Sequence, residues 1–106
     1  MDYGVVFEDD GETGYLYATN ASHSHVHDAI SLYKASDRPS LDSEMFIVWN
    51  GGSKKAGLFY EDRFEAVVDF EGQRACSRSG LSSVKPEGAS WNPDHRWIEG
   101  IDEDLQ

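Results

Sequence analysis

The fold is decided between residues 44 and 80, which read EMFIVWNGGSKKAGLFYEDRFEAVVDFEGQRACSRSG. Short runs of apolar and β-branched residues alternate in this stretch with clusters of turn-forming residues, such as Asn50-Gly51-Gly52-Ser53. Runs of this length, bounded by Gly, Asn, Asp and Ser, are typical of short strands joined by tight turns. The stretch therefore predicts an antiparallel meander, and it contains no specific catalytic motif.

Two of these runs predict where the core lies. The run from Met45 to Trp49 is apolar throughout, which is typical of a central strand covered on both faces. The run from Arg63 to Glu71 mostly alternates between apolar and charged residues, which predicts one buried face and one solvent-exposed face. The buried set is Phe64, Ala66, Val68 and Phe70, and the exposed set is Arg63, Glu65, Asp69 and Glu71. We expect Arg74 and Arg78 to pair across the next hairpin with Asp69 and Glu71.

The segment before residue 44 predicts further strands. Asp9-Asp10-Gly11-Glu12 separates two runs rich in Tyr and Val, and its Asp-Gly pair suits the positive φ angles of a hairpin turn. These acids lack the spacing of an EF-hand, so a turn is favoured over a calcium loop. Residues 26–34 fit both a helical stripe and a strand pattern. A strand over Ala29 to Lys34 is favoured because the surrounding elements are short and β-rich.

The C-terminal segment predicts a short helix. Asn92-Pro93-Asp94 places a capping residue, a proline and an acid where helices usually begin. Trp97, Ile98, Ile101 and Leu105 follow at helical spacing, so this helix is expected to dock on the sheet.

The predicted fold class is mainly β (α+β). We expect an antiparallel meander of six or seven short strands in a curved sheet or roll, with a short C-terminal helix. The length of 106 residues is that of a single domain, spanning 1–106.

Charge and composition limit the partners. The formal net charge is −11, and phosphate or lipid headgroups would require clustered cations, so neither nucleic acid nor membrane is an expected partner. The lone Cys76 fits a reducing compartment. Met1-Asp2-Tyr3-Gly4 carries neither the basic nor the apolar region of a signal peptide. These observations predict a cytoplasmic protein.

The acidic charge and the 12% aromatic content favour a non-enzymatic binding module that engages a protein partner, and the charge favours a basic one. Small acidic immunity proteins, which inhibit toxins, are the analogue. The candidate binding residues are Asp9, Asp10 and Glu12 at one tip, with Glu65 and Asp69 on the open face of the sheet. Homo-oligomeric assembly through a sheet edge or an aromatic patch is a further hypothesis.

A metal site is the alternative function. His23, His25 and His27 alternate along the chain, and on a strand this spacing would place all three on one face, about 6.6 Å apart. Imidazoles in such an array are able to share a zinc ion, with Asp28 or the distant His95 as further ligands. Solvated histidines at the entry of a strand are the favoured interpretation, and no resident cofactor is expected.

Cys76 is the candidate for nucleophilic catalysis. Arg74 and Arg78 share its strand face, and nearby cations lower the pKa of a thiol. A base is also required, and no histidine lies near it in the sequence. A small residue on a half-exposed strand is the favoured interpretation.

Several short motifs together resemble a known family. The residues that carry the resemblance are Ala66–Glu71, Arg74–Gly80, Val48-Trp49, Ala56-Gly57-Leu58, Trp91 and Trp97. The chain resembles a family of small bacterial proteins known only as a domain of unknown function. That resemblance implies a bacterial cytosolic origin and a β-rich fold, and it brings no activity, cofactor or catalytic residue. The three alternating histidines are not part of it.

Overall fold

The computed structural model describes residues 2–34, 44–79, 91 and 95–105, and these residues contain seven strands. The strands are β1 (Tyr3–Asp9), β2 (Thr13–Asn20), β3 (Val26–Lys34), β4 (Phe46–Trp49), β5 (Lys55–Tyr60), β6 (Arg63–Asp69) and β7 (Arg74–Ser77). They form a three-stranded sheet in the order β1-β2-β3 and a four-stranded sheet in the order β4-β5-β6-β7. Every neighbouring pair is antiparallel, which confirms the predicted meander.

The strand prediction for Ala29 to Lys34 is confirmed, and β3 begins earlier, at Val26. All side chains from Asp28 to Tyr33 are buried, because β3 packs against both β6 and β7 of the other sheet. Burial on both faces removes the alternation that a half-exposed strand shows, which is why the sequence pattern was ambiguous.

A bulge between β5 and β6 corrects one prediction. Leu58 pairs with Ala66, but the next residue, Phe59, pairs with Phe64, so Glu65 is an extra residue in β6. An extra residue reverses the face on which the preceding side chains lie. Phe64 therefore lies on the opposite face from Ala66, and the prediction that it shares a face with Ala66, Val68 and Phe70 is wrong.

The four-stranded sheet has no open, solvated face at Glu65 and Asp69. Asp69 is buried, Glu65 is half-buried, and Val67, which lies between them, is fully buried. The inner face packs against the three-stranded sheet, whereas the outer face is covered by residues 95–105, which we call the C-terminal strap. The predicted wet face is wrong because this strap occupies it.

Each face of the four-stranded sheet has its own apolar cluster. The inner cluster joins the two sheets through Leu16, Ala18, Ile30, Leu32, Tyr33, Leu58, Tyr60, Ala66, Val68, Phe70 and Ala75. The outer cluster joins the sheet to the strap through Phe64, Val67, Cys76, Ile101 and Leu105, with Val48, Phe59, Trp97 and Ile98 packed around it.

The short C-terminal helix is a 3₁₀ helix of three residues, Glu103–Leu105. The expected docking on the sheet is made by Trp97, Ile98, Ile101 and Leu105. Residues 95–102, however, form an isolated β-bridge, coil and turns rather than a helix. Gly100 has a φ of +80°, a left-handed conformation that interrupts any right-handed helix. The predicted start at Asn92-Pro93-Asp94 lies outside the described residues, as do the loops predicted over residues 35–43 and 80–90.

β4 also differs from its prediction as a central strand. It lies at one end of the four-stranded sheet, where Phe46 is 51% exposed and Ile47 is 40% exposed. Within the described parts of the chain, no helix is long and apolar enough to cross a membrane.

Replacing Gly57 by alanine tests the packing between β5 and the outer cluster. A Cβ atom at Gly57 would lie 2.6 Å from the ring of Phe64 and 2.9 Å from Leu105 Cδ1, so both side chains would have to shift. We expect Gly57→Ala to lower the free energy of unfolding by about 1–3 kcal/mol in urea denaturation. Gly51→Ala is the matched control, because a Cβ atom there meets nothing within 4 Å. Equal stability of the two variants would contradict the packing described.

Candidate functional site

A groove of about 500 Å³ opens on the outer face of the four-stranded sheet, between β4, the β5–β6 hairpin and the strap. Its apolar wall consists of Phe46, Val48, Phe59, Phe64 and Leu105. The bulge in β6 places Phe64 on this face, and the pairing of Phe46 with Phe59 places both rings beside it. We call this cavity the outer groove. Its volume lies within the range of pockets that bind small ligands or single anchoring side chains.

Two arginines line the rim of the outer groove, and both are held by partners within the chain. Arg63 Nε donates to Glu65 Oε1 at 2.6 Å. Arg78 Nε donates to the carbonyl oxygen of Phe64 at 2.6 Å, and its guanidinium carbon lies 3.9 Å from the centre of the Trp97 ring. Arg78 therefore fastens the strap to the sheet through a cation–π contact.

Acidic residues dominate the rest of the rim. Asp62 and Asp102 line the groove directly. The exposed Glu61 precedes Asp62 in the chain, and the exposed Glu103 follows Asp102. Arg78 Nη2 lies 3.9 Å from Asp102 Oδ2, a long ion pair at the same rim. Arg63 is paired with Glu65 and Arg78 with Asp102, so Asp62 is the rim acid that the described ion pairs leave for an incoming molecule.

The tip of the β1–β2 hairpin carries Asp9, Asp10 and Glu12, which the sequence predicted as binding residues. Asp9 Oδ1 accepts from the Gly11 amide at 2.8 Å, and Asp10 Oδ1 accepts from the amides of Glu12 and Thr13 at 2.9 and 2.8 Å. The bonds from the Thr13 and Glu12 amides lower the pKa of Asp10. These carboxylates thus stabilise the turn. All three residues are exposed, and their role in binding stays a prediction.

Glu65 and Asp69 lie in the other sheet, apart from the tip. Asp69 Oδ2 accepts from Arg74 Nε at 3.0 Å, and Asp69 Oδ1 accepts from the Gly72 amide at 3.0 Å. The expected pairing of Asp69 with Arg74 is therefore confirmed, whereas Arg78 is directed to Phe64, Trp97 and Asp102. Both acids stabilise the sheet and its turns, and Glu65 reaches the outer groove only through Arg63.

The three alternating histidines do not gather around one point. The rings of His25 and His27 are 4.9 Å apart, and His27 stacks on Trp91 at 5.3 Å. The His23 ring instead lies over Gly4, in the space that a Cβ atom would occupy. Burial, with a contribution from the charge of His25, lowers the pKa of His27. Across residues 2–34, 44–79, 91 and 95–105, no group of three His, Cys, Asp or Glu side chains is placed to hold a metal ion.

Asp28 and His95, two further candidate zinc ligands, are paired with each other. His95 Nε2 lies 2.9 Å from Asp28 Oδ2, and both side chains are almost completely buried. Asp28 Oδ1 also accepts from the Ala29 amide at 2.9 Å. The backbone next to His95 continues the contact, because the Ser77 amide donates to the His95 carbonyl at 2.9 Å. The pair therefore fixes the start of the strap to β3, in the opposite sheet.

Cys76 is completely buried in the outer cluster, so the prediction of a half-exposed residue is wrong. Burial raises the pKa of the thiol, and the opposing effects of Arg74 and Arg78 are smaller. A buried neutral thiol is a poor nucleophile. Cys76 fills space between β7 and the strap.

Sequence reasoning missed the outer groove because its walls come from segments far apart in the chain. Phe46 and Leu105 line the same groove only after the strap has folded back across the sheet. One local signal was present: the run from Met45 to Trp49 has no charged residue, and an exposed strand of that composition is unusual.

Breaking the buried pair tests its role in holding the strap. We expect His95→Ala to lower the free energy of unfolding by about 3–5 kcal/mol, because it leaves the Asp28 carboxylate buried without its partner. His25→Ala is the control, since His25 is exposed, and it should change stability by less than about 0.5 kcal/mol. Adding Asp28→Ala to His95→Ala should cost less than Asp28→Ala alone. Additive losses in urea denaturation would contradict a direct coupling.

Alkylation by iodoacetamide tests the burial of Cys76. In native buffer at pH 8 we expect labelling to be limited by unfolding, because the thiol is inaccessible and its pKa is raised. In denaturant the same thiol should react at the rate of a free cysteine. Glu12→Cys adds an exposed thiol and should label at once in the native protein. Fast native labelling of Cys76, followed by mass spectrometry, would contradict the structure.

Comparison with known proteins assigns the chain to a family. No curated protein and no solved structure matches it. The family model described as "Uncharacterized protein conserved in bacteria (DUF2251)" matches residues 1–106, the whole of the sequence. The protein therefore belongs to this bacterial family of unknown function, DUF2251.

Proposed function

We propose that the protein is a non-enzymatic binding module whose recognition surface is the outer groove. The observation that carries the proposal is the apolar wall of that groove, which continues onto the half-exposed ring of Phe46. Phe46 and Ile47 are the large hydrophobic residues exposed in the part of the chain that the structure describes. Contiguous apolar surface rimmed by charge is typical of protein-interaction sites.

The expected partner is a basic protein. The chain carries a net charge of −11, and one of the acids that contribute to it, Asp62, lies at the rim of the groove. A partner segment with an apolar anchor and flanking Lys or Arg would bury the anchor against Phe46 and Phe59 while its cations meet the acids. Such a charge distribution accelerates association with basic partners more than it adds affinity.

The lining of the groove favours binding over catalysis. Its described residues include no histidine, cysteine or serine, and its two arginines are already engaged within the chain. Among the described residues, every buried side-chain nitrogen or oxygen atom has a hydrogen-bond partner. Functional sites usually hold polar groups that await a substrate, and the groove offers shape and apolar surface instead.

We place the module in the bacterial cytosol, with the small acidic immunity proteins as the analogue for its mode of action. The family is conserved in bacteria, and the lone cysteine is buried and unpaired. Metal binding by His23, His25 and His27, the alternative function, would require these side chains to rearrange, because they do not gather around one point in the structure. Elemental analysis of the untagged protein, with melting curves in the presence and absence of zinc, tests it directly.

Binding of a synthetic peptide tests the groove. The probe is a short fluorescent peptide in which lysine alternates with valine or phenylalanine. We expect it to bind the wild-type protein with an affinity that falls as salt rises, since charges beyond about 8 Å are screened at physiological ionic strength. Phe46→Ser should weaken binding by about tenfold or more, because the principal apolar anchor site is lost.

Two substitutions that each remove one negative charge distinguish the groove from the hairpin tip as the binding site. Asp62→Asn removes one charge at the groove and should weaken binding about two- to fivefold, the effect of an exposed ion pair. Glu12→Gln removes the same charge at the tip and should leave the affinity within about twofold. The opposite ranking would overturn the groove and favour the tip residues Asp9, Asp10 and Glu12.

A further inference from the structure

We propose that the partner binds by adding a strand to the free edge of β4. This inference rests on the proposed function and names its binding mode: an extended segment of a basic protein pairs with β4 and places alternate apolar side chains in the outer groove. In the part of the chain that the structure describes, β4 is an end strand with β5 on one side.

The backbone of β4 presents hydrogen-bonding groups to an added strand. The β4–β5 register pairs Val48 with Gly57. Two residues further along, the Asn50 amide donates to the Lys55 carbonyl at 3.0 Å. In an antiparallel pair every second residue bonds to the neighbouring strand. Even-numbered residues of β4 therefore bond to β5. The amide and carbonyl groups of Ile47 and Trp49 point away from it.

The side chains of β4 itself do not supply the usual protection of an edge. Among the seven strands, β4 alone has no polar or charged side chain, and Phe46 and Ile47 are exposed on its opposite faces. Natural proteins protect exposed edges with lysine, proline or inward-pointing charge, because an unprotected edge is a template for another strand. The unprotected edge is therefore the place where an extended segment gains both backbone bonds and apolar contact.

The outer groove lies beside this edge, on one face of β4. Phe46 and Val48 line the groove, so side chains at alternate positions of an added strand would lie over it. The intervening side chains would lie on the face of Ile47. This arrangement selects a segment with apolar residues at alternate positions, and the net charge of −11 on the chain favours Lys or Arg at the other positions.

Charge selects a basic partner over a second copy of the chain. Two copies would bring together two bodies that each carry a net charge of −11, which opposes association. A basic segment instead gains from the same field and from Asp62 at the rim.

Backbone methylation of the lysine-containing peptide tests strand addition. An added strand pairs with β4 through every second amide, so two peptides are made with N-methyl groups on alternate sets of residues. We expect one methylated peptide to lose about tenfold or more in affinity while the other binds within about twofold of the parent peptide. In the complex, the amides of Ile47 and Trp49 should gain protection from hydrogen exchange by at least about tenfold, whereas the amide of Val48 should change little.

The outcomes separate the binding mode from the function. Equal affinity of both methylated peptides and of the parent peptide, with a continued loss for Phe46→Ser, would overturn strand addition and leave the groove as the binding site. Parent-peptide binding that is absent, or that is the same for wild type and Phe46→Ser, would overturn both. Protection of the Ile47 and Trp49 amides in the free protein, together with a dimeric mass by sedimentation, would show that a second copy covers the edge and would overturn the proposal.

Discussion

The four-stranded sheet is apolar on both faces, and the rest of the structure follows from the need to cover both. Leu58, Ala66 and Val68 face inward, whereas Val67 and Cys76 face outward, and all five are buried. Burying a side chain of the size of Val or Leu contributes about 1.5–3 kcal/mol, so neither face is able to remain in water at low cost. The three-stranded sheet covers one face and the C-terminal strap covers the other.

The strap is irregular, and its position depends on particular contacts. A regular helix would dock through a continuous stripe, but residues 95–105 instead rely on the buried Asp28–His95 pair at one end and on Lys55 at the other. Lys55 Nζ donates to the Ile101 carbonyl and to Asp104 Oδ1, each at 3.0 Å. The hydrogen bonds that Asp104 accepts from Lys55 and Asn50 lower its pKa. Polar anchors of this kind fix one arrangement of a segment that has little secondary structure of its own.

Local sequence patterns predicted the local structure well. The hairpin turn at Asp9-Asp10-Gly11-Glu12 was predictable because the Asp-Gly pair has a specific backbone preference, and Gly11 has a φ of +94°. The β6–β7 hairpin was predictable from the turn-forming segment Glu71-Gly72-Gln73 between two strand-like runs, and the ion pair of Asp69 with Arg74 joins residues that face each other across it. Each of these features depends on residues close together in the chain.

Features that depend on distant residues were not predictable. Phe64 changes face because of one extra residue at Glu65, and the alternation of the sequence gives no sign of that bulge. The pairing of Asp28 with His95 joins residues 67 positions apart. The position of β4 depends on which strands pair with each other, so an apolar run that suggested a central strand proved to be the end strand of the described sheet, with Phe46 and Ile47 exposed.

The incomplete cover of the outer face gives the candidate site its character. The strap reaches the outer face through Ile101 and Leu105, and it leaves Phe46 at the end of the sheet exposed. An apolar edge of this kind would normally promote self-association. Here the protection is global, because a net charge of −11 opposes contact between identical chains without blocking the edge itself. We infer that this combination keeps the edge available to a partner of opposite charge, which a lysine placed within β4 would have repelled.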